Sequence, residues 1–133
     1  MHTTNYFNAF IQIAEDCPVK AAEIPPLKKE KSLANYQFEM IEKHPYKYTS
    51  DDVIFGIYAL RNGISNSKAE REKFFSKGQP CLRTSPLGKR YGWGVHSNEE
   101  GKVAIYPAGS AEYEKFAADS KLEQVKAMRS KRA

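Results

Sequence analysis

Cysteine is scarce in this sequence: Cys17 and Cys81 are the only two, and neither lies in a C-x-x-C pair. Two distant thiols in a chain of 133 residues argue against a disulfide scaffold and are typical of a reducing compartment. The N-terminus also lacks a basic and apolar leader, and no apolar run is long enough to span a bilayer. We therefore expect a soluble cytoplasmic protein with no signal peptide and no membrane partner.

Motifs that bind phosphate or metal are missing as well. Neither G-x-G-x-x-G nor G-x-x-x-x-G-K occurs, and there is no H-E-x-x-H. The three histidines, His2, His44 and His96, are scattered along the chain. A phosphatase loop would have arginine at the sixth position after Cys81, where this chain has Leu87. We expect no cofactor and no metal site.

The hydrophobic and aromatic content of the chain is typical of one folded domain. Hydrophobic residues make up 41% of the chain and aromatic residues 12%, so the body of the chain is not disordered. The net charge of +5 is modest, and much of it lies near the C-terminus. It is not concentrated as in a dedicated nucleic-acid binder.

The first half of the chain predicts one strand and one helix. Residues Asn5–Ala14 alternate in the manner of a strand. The proline-containing stretch Pro18–Lys31 predicts a loop. Ser32 can cap a helix whose apolar positions recur at helical spacing, and Pro45 ends it.

Thr49–Gly63 is ambiguous. Ser50 is a suitable N-cap, Asp51 suits the positive end of a helix dipole, and Gly63 is a natural C-cap. The alternation across Val53–Ala59 would instead suit a buried strand. We favour the helix because all the capping signals agree.

The stretch after this segment predicts a helix, a strand and a turn. Ser67 begins a capping box, and its helix should run to about Ser76 and be closed by Gly78. Cys81–Thr84 is compatible with a short strand. Ser85–Gly88 has proline at the second position of a turn.

A β-hairpin is predicted from Arg90–His96 and Lys102–Tyr106. If His96 pairs with Lys102, Val95 faces Val103 and one side of the hairpin is wholly apolar. The other side then carries polar residues and glycines: Arg90, Gly92, Gly94 and His96.

Two further helices are expected after the hairpin, one capped by Ser110 and a short last one begun by a capping box at Ser120. The chain is therefore predicted to be a single α+β domain over residues 1–133. Its sheet should be mainly antiparallel, with about four strands that include a hairpin within 90–107, and four to five helices should pack on it. Residues 129–133 are expected to form a frayed basic tail.

Four strings of the sequence are distinctive: TTNYFNAFIQIAEDCPV, TSDDVIF, FFSKGQPCLRTSPLGKRYGWGVH and KAMRSKRA. Together they resemble an uncharacterised bacterial family of small soluble proteins, a domain of unknown function. The resemblance spans essentially the whole chain. It implies a bacterial, cytosolic, single-domain protein and supplies no catalytic residue.

Cys81 is the first candidate for chemistry. Arg83, Lys89 and Arg90 follow it closely, and cationic neighbours favour the thiolate. His96 could act as its base, which would complete a catalytic Cys/His pair. The alternative is that Cys81 is a small buried core residue, as free cysteines usually are.

An anion pocket is the second candidate, with the predicted ligand-binding residues Arg83, Ser85, Lys89, Arg90 and His96. Arginine suits a bidentate grip on carboxylate or phosphate, and glycines on a sheet face let a ligand approach the backbone. The same glycines can instead admit a packed helix, with the cations solvated or paired with carboxylates.

Binding of an anionic small molecule at this Arg/His cluster is the function that we favour from the sequence. The alternatives are a Cys81-dependent enzyme and an interaction module for protein or nucleic acid. One stretch interleaves basic with aromatic side chains: Lys89, Arg90, Tyr91 and Trp93. Because Tyr91 and Trp93 fall on the predicted core face, we do not expect nucleic acid as the partner. The basic tail is compatible with a homodimer contact.

Overall fold

A four-stranded sheet forms the centre of the structure, a computed structural model that describes residues 2–130. Its strands are β1 (Ala9–Gln12), β2 (Trp93–Ser97), β3 (Val103–Pro107) and β4 (Glu123–Lys126), in the order β3-β2-β1-β4. β2 pairs antiparallel with β1 and β3, and β4 pairs parallel with β1. The predicted single α+β domain with a mainly antiparallel sheet is confirmed.

Within the described residues, five α-helices and one 3-10 turn surround the sheet. They are α1 (Leu33–Glu42), α2 (Ser50–Asn62), α3 (Lys68–Phe74), the 3-10 turn Leu82–Thr84, α4 (Pro86–Lys89) and α5 (Ala111–Ala117). None of the described helices is long and apolar enough to cross a membrane. The predicted caps Ser32, Ser67 and Ser110 each accept a hydrogen bond from a backbone N–H in the first turn of their helix.

The ambiguous segment is a helix. Thr49, rather than Ser50, is its N-cap: the hydroxyl of Thr49 accepts the backbone N–H of Asp52, and the carboxylate of Asp52 accepts that of Thr49. Gly63 ends the helix with φ of 62°, a left-handed conformation that glycine adopts without strain. The capping signals therefore outweigh the strand-like alternation.

Helices cover both faces of the sheet. Ile11, Val95 and Ile105 are paired neighbours on one face, and they are buried in a core shared with α1 and α2. Phe10 points to the other face, where α5 covers it. The ring of Phe10 lies 5.1 Å from that of Tyr113 and 5.6 Å from that of Phe116.

The absence of a side chain at Gly94 lets α5 pack closely on this second face. A Cβ added at Gly94 would lie 2.5 Å from Cζ of Phe10 and 2.7 Å from Cε2 of Tyr113, closer than real Cβ contacts allow. Gly92 has φ of 80°, and a Cβ there would meet Val19 and Ala22. The space beside both glycines is therefore filled by protein.

The hairpin is confirmed, but its predicted register is wrong by two residues. His96 pairs with Ala104 instead of Lys102, and Val95 pairs with Ile105. The loop is fixed by Asn98, whose side-chain oxygen accepts the backbone N–H groups of Glu100 and Lys102. Because the shift is an even number, the apolar face stays intact.

Four local predictions are wrong. Cys81–Thr84 is no strand, since Leu82–Thr84 forms a 3-10 turn, and the turn predicted at Ser85–Gly88 begins the short helix α4. Gly78 does not close α3, which ends at Phe75 with φ of −85° and ψ of 7°, outside the left-handed region. Arg90 is not part of the strand, because it is the C-cap of α4 and β2 begins only at Trp93.

The predicted helix after Ser120 is also wrong, because this segment adds β4 to the sheet. The backbone N–H of Glu123 donates to the carbonyl of Asn8, and that of Ala127 donates to Gln12. These bonds to a distant strand replace the local capping box. Beyond β4, the backbone N–H of Ser130 donates to the carboxylate of Asp16, and residues 131–133 of the predicted frayed tail lie outside the described residues.

We predict that Gly94→Ala lowers the free energy of unfolding by about 1–3 kcal/mol, because the methyl group displaces the rings of Phe10 and Tyr113. Urea unfolding followed by circular dichroism measures the change. Gly78→Ala is the control: a Cβ there has its nearest neighbour at 3.8 Å, so less than about 0.5 kcal/mol should be lost. Equal losses in the two variants would contradict the close packing at Gly94.

Candidate functional site

The structure does not bring Cys81 and His96 together. His96 lies on the face of the sheet covered by α5, with Nδ1 2.8 Å from the hydroxyl of Tyr46 and its ring stacked 4.2 Å from that of Phe116. Cys81 follows α3, and its sulfur lies 3.9 Å from the hydroxyl of Tyr6. A direct proton transfer between the two predicted catalytic residues therefore has no geometric basis.

His96 belongs to a polar aromatic cluster. The hydroxyl of Tyr46 also lies 2.8 Å from that of Tyr106. Burial lowers the pKa of His96, and the nearby Asp119 opposes this change only in part. Burial raises the pKa of Tyr46, and its contact with Tyr106 raises it further. These neutral groups satisfy one another's hydrogen bonds beneath α5.

The predicted ligand-binding residues are also spread over the molecule. The side chain of Arg83 donates from Nε to the carbonyl of Lys126, which ties the 3-10 turn to β4. Ser85 is buried and caps α4, Lys89 is half-buried at the end of α4, and Arg90 is exposed beyond it. The structure does not gather them with His96 in one pocket, and their individual binding roles stay predictions.

A cleft of about 900 Å³ opens elsewhere, between α1, α2, α3 and the segment that joins α3 to the 3-10 turn. This α1–α3 cleft has a size typical of small-molecule sites. Of the residues predicted from sequence, only Cys81 lines it. The other lining residues used below are Gln37, Ile54, Ile57, Tyr58, Arg61, Glu70, Lys73, Phe74 and Lys77.

The wall formed by α3 is held to α2 by an ion pair and aromatic contacts. Arg71 Nη1 lies 2.6 Å from Oδ1 of Asp52. The ring of Phe74 lies 4.5 Å from that of Tyr58 and 5.6 Å from that of Phe55. Phe55 is fully buried, whereas Tyr58 and Phe74 line the cleft.

The floor of the cleft contains the amide of Gln37. This side chain is buried, with 4% of the residue exposed, and Oε1 accepts a hydrogen bond from the hydroxyl of Ser85. No described residue accepts a hydrogen bond from its Nε2, and no fully buried side-chain nitrogen or oxygen in the described part lacks a partner. Nε2 therefore faces the cleft, where water or a ligand can accept its protons.

Gln37 is not among the site residues predicted from the sequence, although its spacing carries a signal. Ala34, Gln37 and Ile41 are spaced by three and four residues, so they share one helix face, and all three are buried. A glutamine on the buried stripe of an amphipathic helix needs a polar partner. The pattern therefore indicates that Gln37 needs a buried polar partner. It does not identify Ser85 as that partner, because Ser85 is 48 positions away in the sequence.

The rim of the cleft is cationic. Arg61, Lys73 and Lys77 are exposed and line it together with one carboxylate, that of Glu70. Arg61 lies over the ring of Tyr36, with its guanidinium carbon 5.7 Å from the ring centre. Three cations against one carboxylate give the mouth a positive potential.

The comparisons with known proteins give one match. A family model described as "Family of unknown function (DUF6157)" covers residues 1–133. No curated protein and no solved structure matches the chain.

The Asp52–Arg71 ion pair makes the attachment of α3 pH-dependent. Burial on its own raises the pKa of Asp52, but hydrogen bonds from Thr49 and Arg71 more than offset it, so the pKa lies below its usual value. An aspartate of lowered pKa stabilises the fold fully above its unfolded-state pKa of about 3.9. That contribution is lost as the pH falls through the lowered, folded-state pKa.

We therefore predict that Asp52→Asn costs about 1–2 kcal/mol of unfolding free energy at neutral pH, and that the difference from wild type shrinks towards zero in acid. Urea unfolding over a series of pH values measures both. Glu15→Gln is the control, because its ion pair with Lys126 is more than half exposed and should leave the pH slope unchanged. A difference that stays constant down to acid pH would contradict the assigned pairing.

Proposed function

The chain belongs to DUF6157, a family of unknown function, and we propose that it binds a small organic anion with an apolar body in the α1–α3 cleft. The observation that carries this proposal is the composition of the cleft: an apolar wall, a buried amide with unpaired N–H groups and a cationic rim within one space of about 900 Å³. Ligand sites usually combine such a wall with a few placed polar groups.

The apolar part of the ligand fits the walls. Ile54, Ile57 and Tyr58 of α2 line the cleft together with Phe74 of α3, whose ring contacts that of Tyr58. Burial of apolar surface against these side chains supplies the favourable free energy, at roughly 25 cal/mol for each Å². The charged group of the ligand then remains at the mouth, near Arg61, Lys73 and Lys77, where it keeps part of its hydration.

Other features of the chain support a small-molecule ligand over a nucleic acid. Trp93 packs its ring 5.1 Å from that of Phe38 and donates from Nε1 to the carbonyl of Glu23. A ring held in this way is not available to stack on a base. The two free thiols support a reducing setting, which we take to be the cytoplasm of a bacterium.

A second candidate function is Cys81-dependent chemistry on the bound ligand. Cys81 is the cysteine that lines the cleft, which favours this alternative. Burial raises the pKa of Tyr6, Cys81 raises it further, and Arg83 opposes the rise. Tyr6 therefore stays protonated, and its hydroxyl can donate a hydrogen bond to the sulfur.

We predict that the fluorescent anion 8-anilinonaphthalene-1-sulfonate binds the cleft, and that Lys73→Glu/Lys77→Glu weakens its binding roughly fivefold to tenfold. Fluorescence titration measures the dissociation constant. Lys28→Glu/Lys29→Glu changes the net charge by the same amount on the exposed loop before α1 and should leave the constant unchanged. If both double variants lost the same affinity, the net charge of the protein alone would attract the anion, and the cationic rim would be rejected as the site.

We further predict that iodoacetamide alkylates Cys81 in the native protein, and that the same fluorescent anion slows this reaction without slowing alkylation of Cys17. Cys81 is half-buried but lines the cleft, whereas Cys17 packs against the core and does not line it. Peptide mass spectrometry after timed quenching measures both rates. A Cys81 thiol that is inert in the native state would remove the Cys81-dependent alternative.

A further inference from the structure

The orientation of the Gln37 amide follows from the contacts of Ser85. The hydroxyl oxygen of Ser85 accepts the backbone N–H of Leu87 and thereby caps α4. Ser85 is 2% exposed, so its hydroxyl proton needs an acceptor within the protein. Oε1 of Gln37 is that acceptor. The carbonyl side of the amide is therefore held inward, and the N–H₂ side is turned to the cleft.

An N–H₂ group fixed in this way distinguishes between occupants of the cleft. Water can satisfy it when the cleft is empty of ligand. A ligand that displaces this water must bring an acceptor, because a buried donor left without a partner weakens binding. Sites built around such a donor reject analogues that lack the matching group.

The acceptor is a neutral oxygen, not the anionic group of the ligand. The amide carries no charge, and the cleft that it lines also contains the apolar side chains of Ile54 and Ile57. A carboxylate taken to this depth would lose its hydration without a cation to replace it. Arg61, Lys73 and Lys77 are exposed at the rim and suit the anionic group instead.

Resting on the anion-binding function proposed above, we propose that Gln37 determines specificity for organic anions that carry a carbonyl oxygen on their apolar body. The anionic group lies at the rim and the carbonyl at the floor, where it accepts from Nε2 of Gln37. Cys81 lines the same cleft. Ser85 is a positioning residue, because it acts on the ligand through Gln37.

Two probe anions test this specificity: 4-phenylbutyrate and 4-oxo-4-phenylbutyrate. They share the carboxylate, the phenyl ring and the chain length, and they differ in one ketone oxygen. Isothermal titration calorimetry on the wild-type chain is expected to show tighter binding of the ketone, by roughly fivefold to tenfold. Gln37→Met fills a similar volume without a donor and should abolish this preference while 4-phenylbutyrate still binds.

Gln37→Glu is the second variant, since it keeps the shape of the side chain and can still accept the hydroxyl proton of Ser85. Its outward oxygen is an acceptor, so the preference for the ketone should disappear or reverse. Lys73→Glu/Lys77→Glu, which tests the anion-binding function, should weaken both probes by the same factor and preserve the preference.

Three results would overturn the inference. The first is equal binding of the two probes to the wild-type chain, which leaves the anion-binding function standing. The second is a preference for the ketone that survives in both folded Gln37 variants. The third is failure of both probes to bind, which rejects the anion-binding function as well.

Discussion

The buried carboxylate of Asp51 is the contact on which the arrangement of sheet and helices depends. It accepts hydrogen bonds of 2.7 Å from the backbone N–H of Thr4 and from the hydroxyls of Thr3 and Thr4. The same N-terminal segment continues into β1, which lies between β2 and β4. The carboxylate of Asp51 thus fixes the first turn of α2 to the segment that leads into β1, and β1 pairs with both β2 and β4. Because α2 forms a wall of the cleft, this contact also positions the candidate site.

Sequence reasoning succeeded where the structure is set by neighbouring residues. Ser32, Ser67 and Ser110 cap their helices because the hydroxyl and the N–H that it accepts are three positions apart. It failed after Ser120, where the capping pattern predicts a helix. The segment forms β4 instead, because the backbone N–H of Glu123 donates to the carbonyl of Asn8. A sequence carries no local sign of a partner strand more than a hundred positions away, so β4 could not be predicted from its own residues.

The candidate site shows the same difference between features set by neighbouring residues and features set by distant ones. Cys81 could be singled out because the sequence has so few cysteines, and it lines the cleft. Its predicted partners were chosen by proximity in sequence, yet the structure places His96 beneath α5 and directs Arg83 to β4. The cations of the rim come from two elements and a connecting segment, so no single stretch displays them as a cluster.

The wall formed by α3, which carries Lys73 of the rim, lies at the surface of the molecule. No residue of α3 is buried, and the helix is joined to α2 mainly through Arg71 and the ring of Phe74. Segments with few buried contacts open at a lower free energy than the core. Under the proposed function, an anion held between Lys73 of α3 and Arg61 of α2 adds a further link between these helices. Binding and attachment of α3 then stabilise each other, because a ligand that binds only the closed arrangement favours that arrangement.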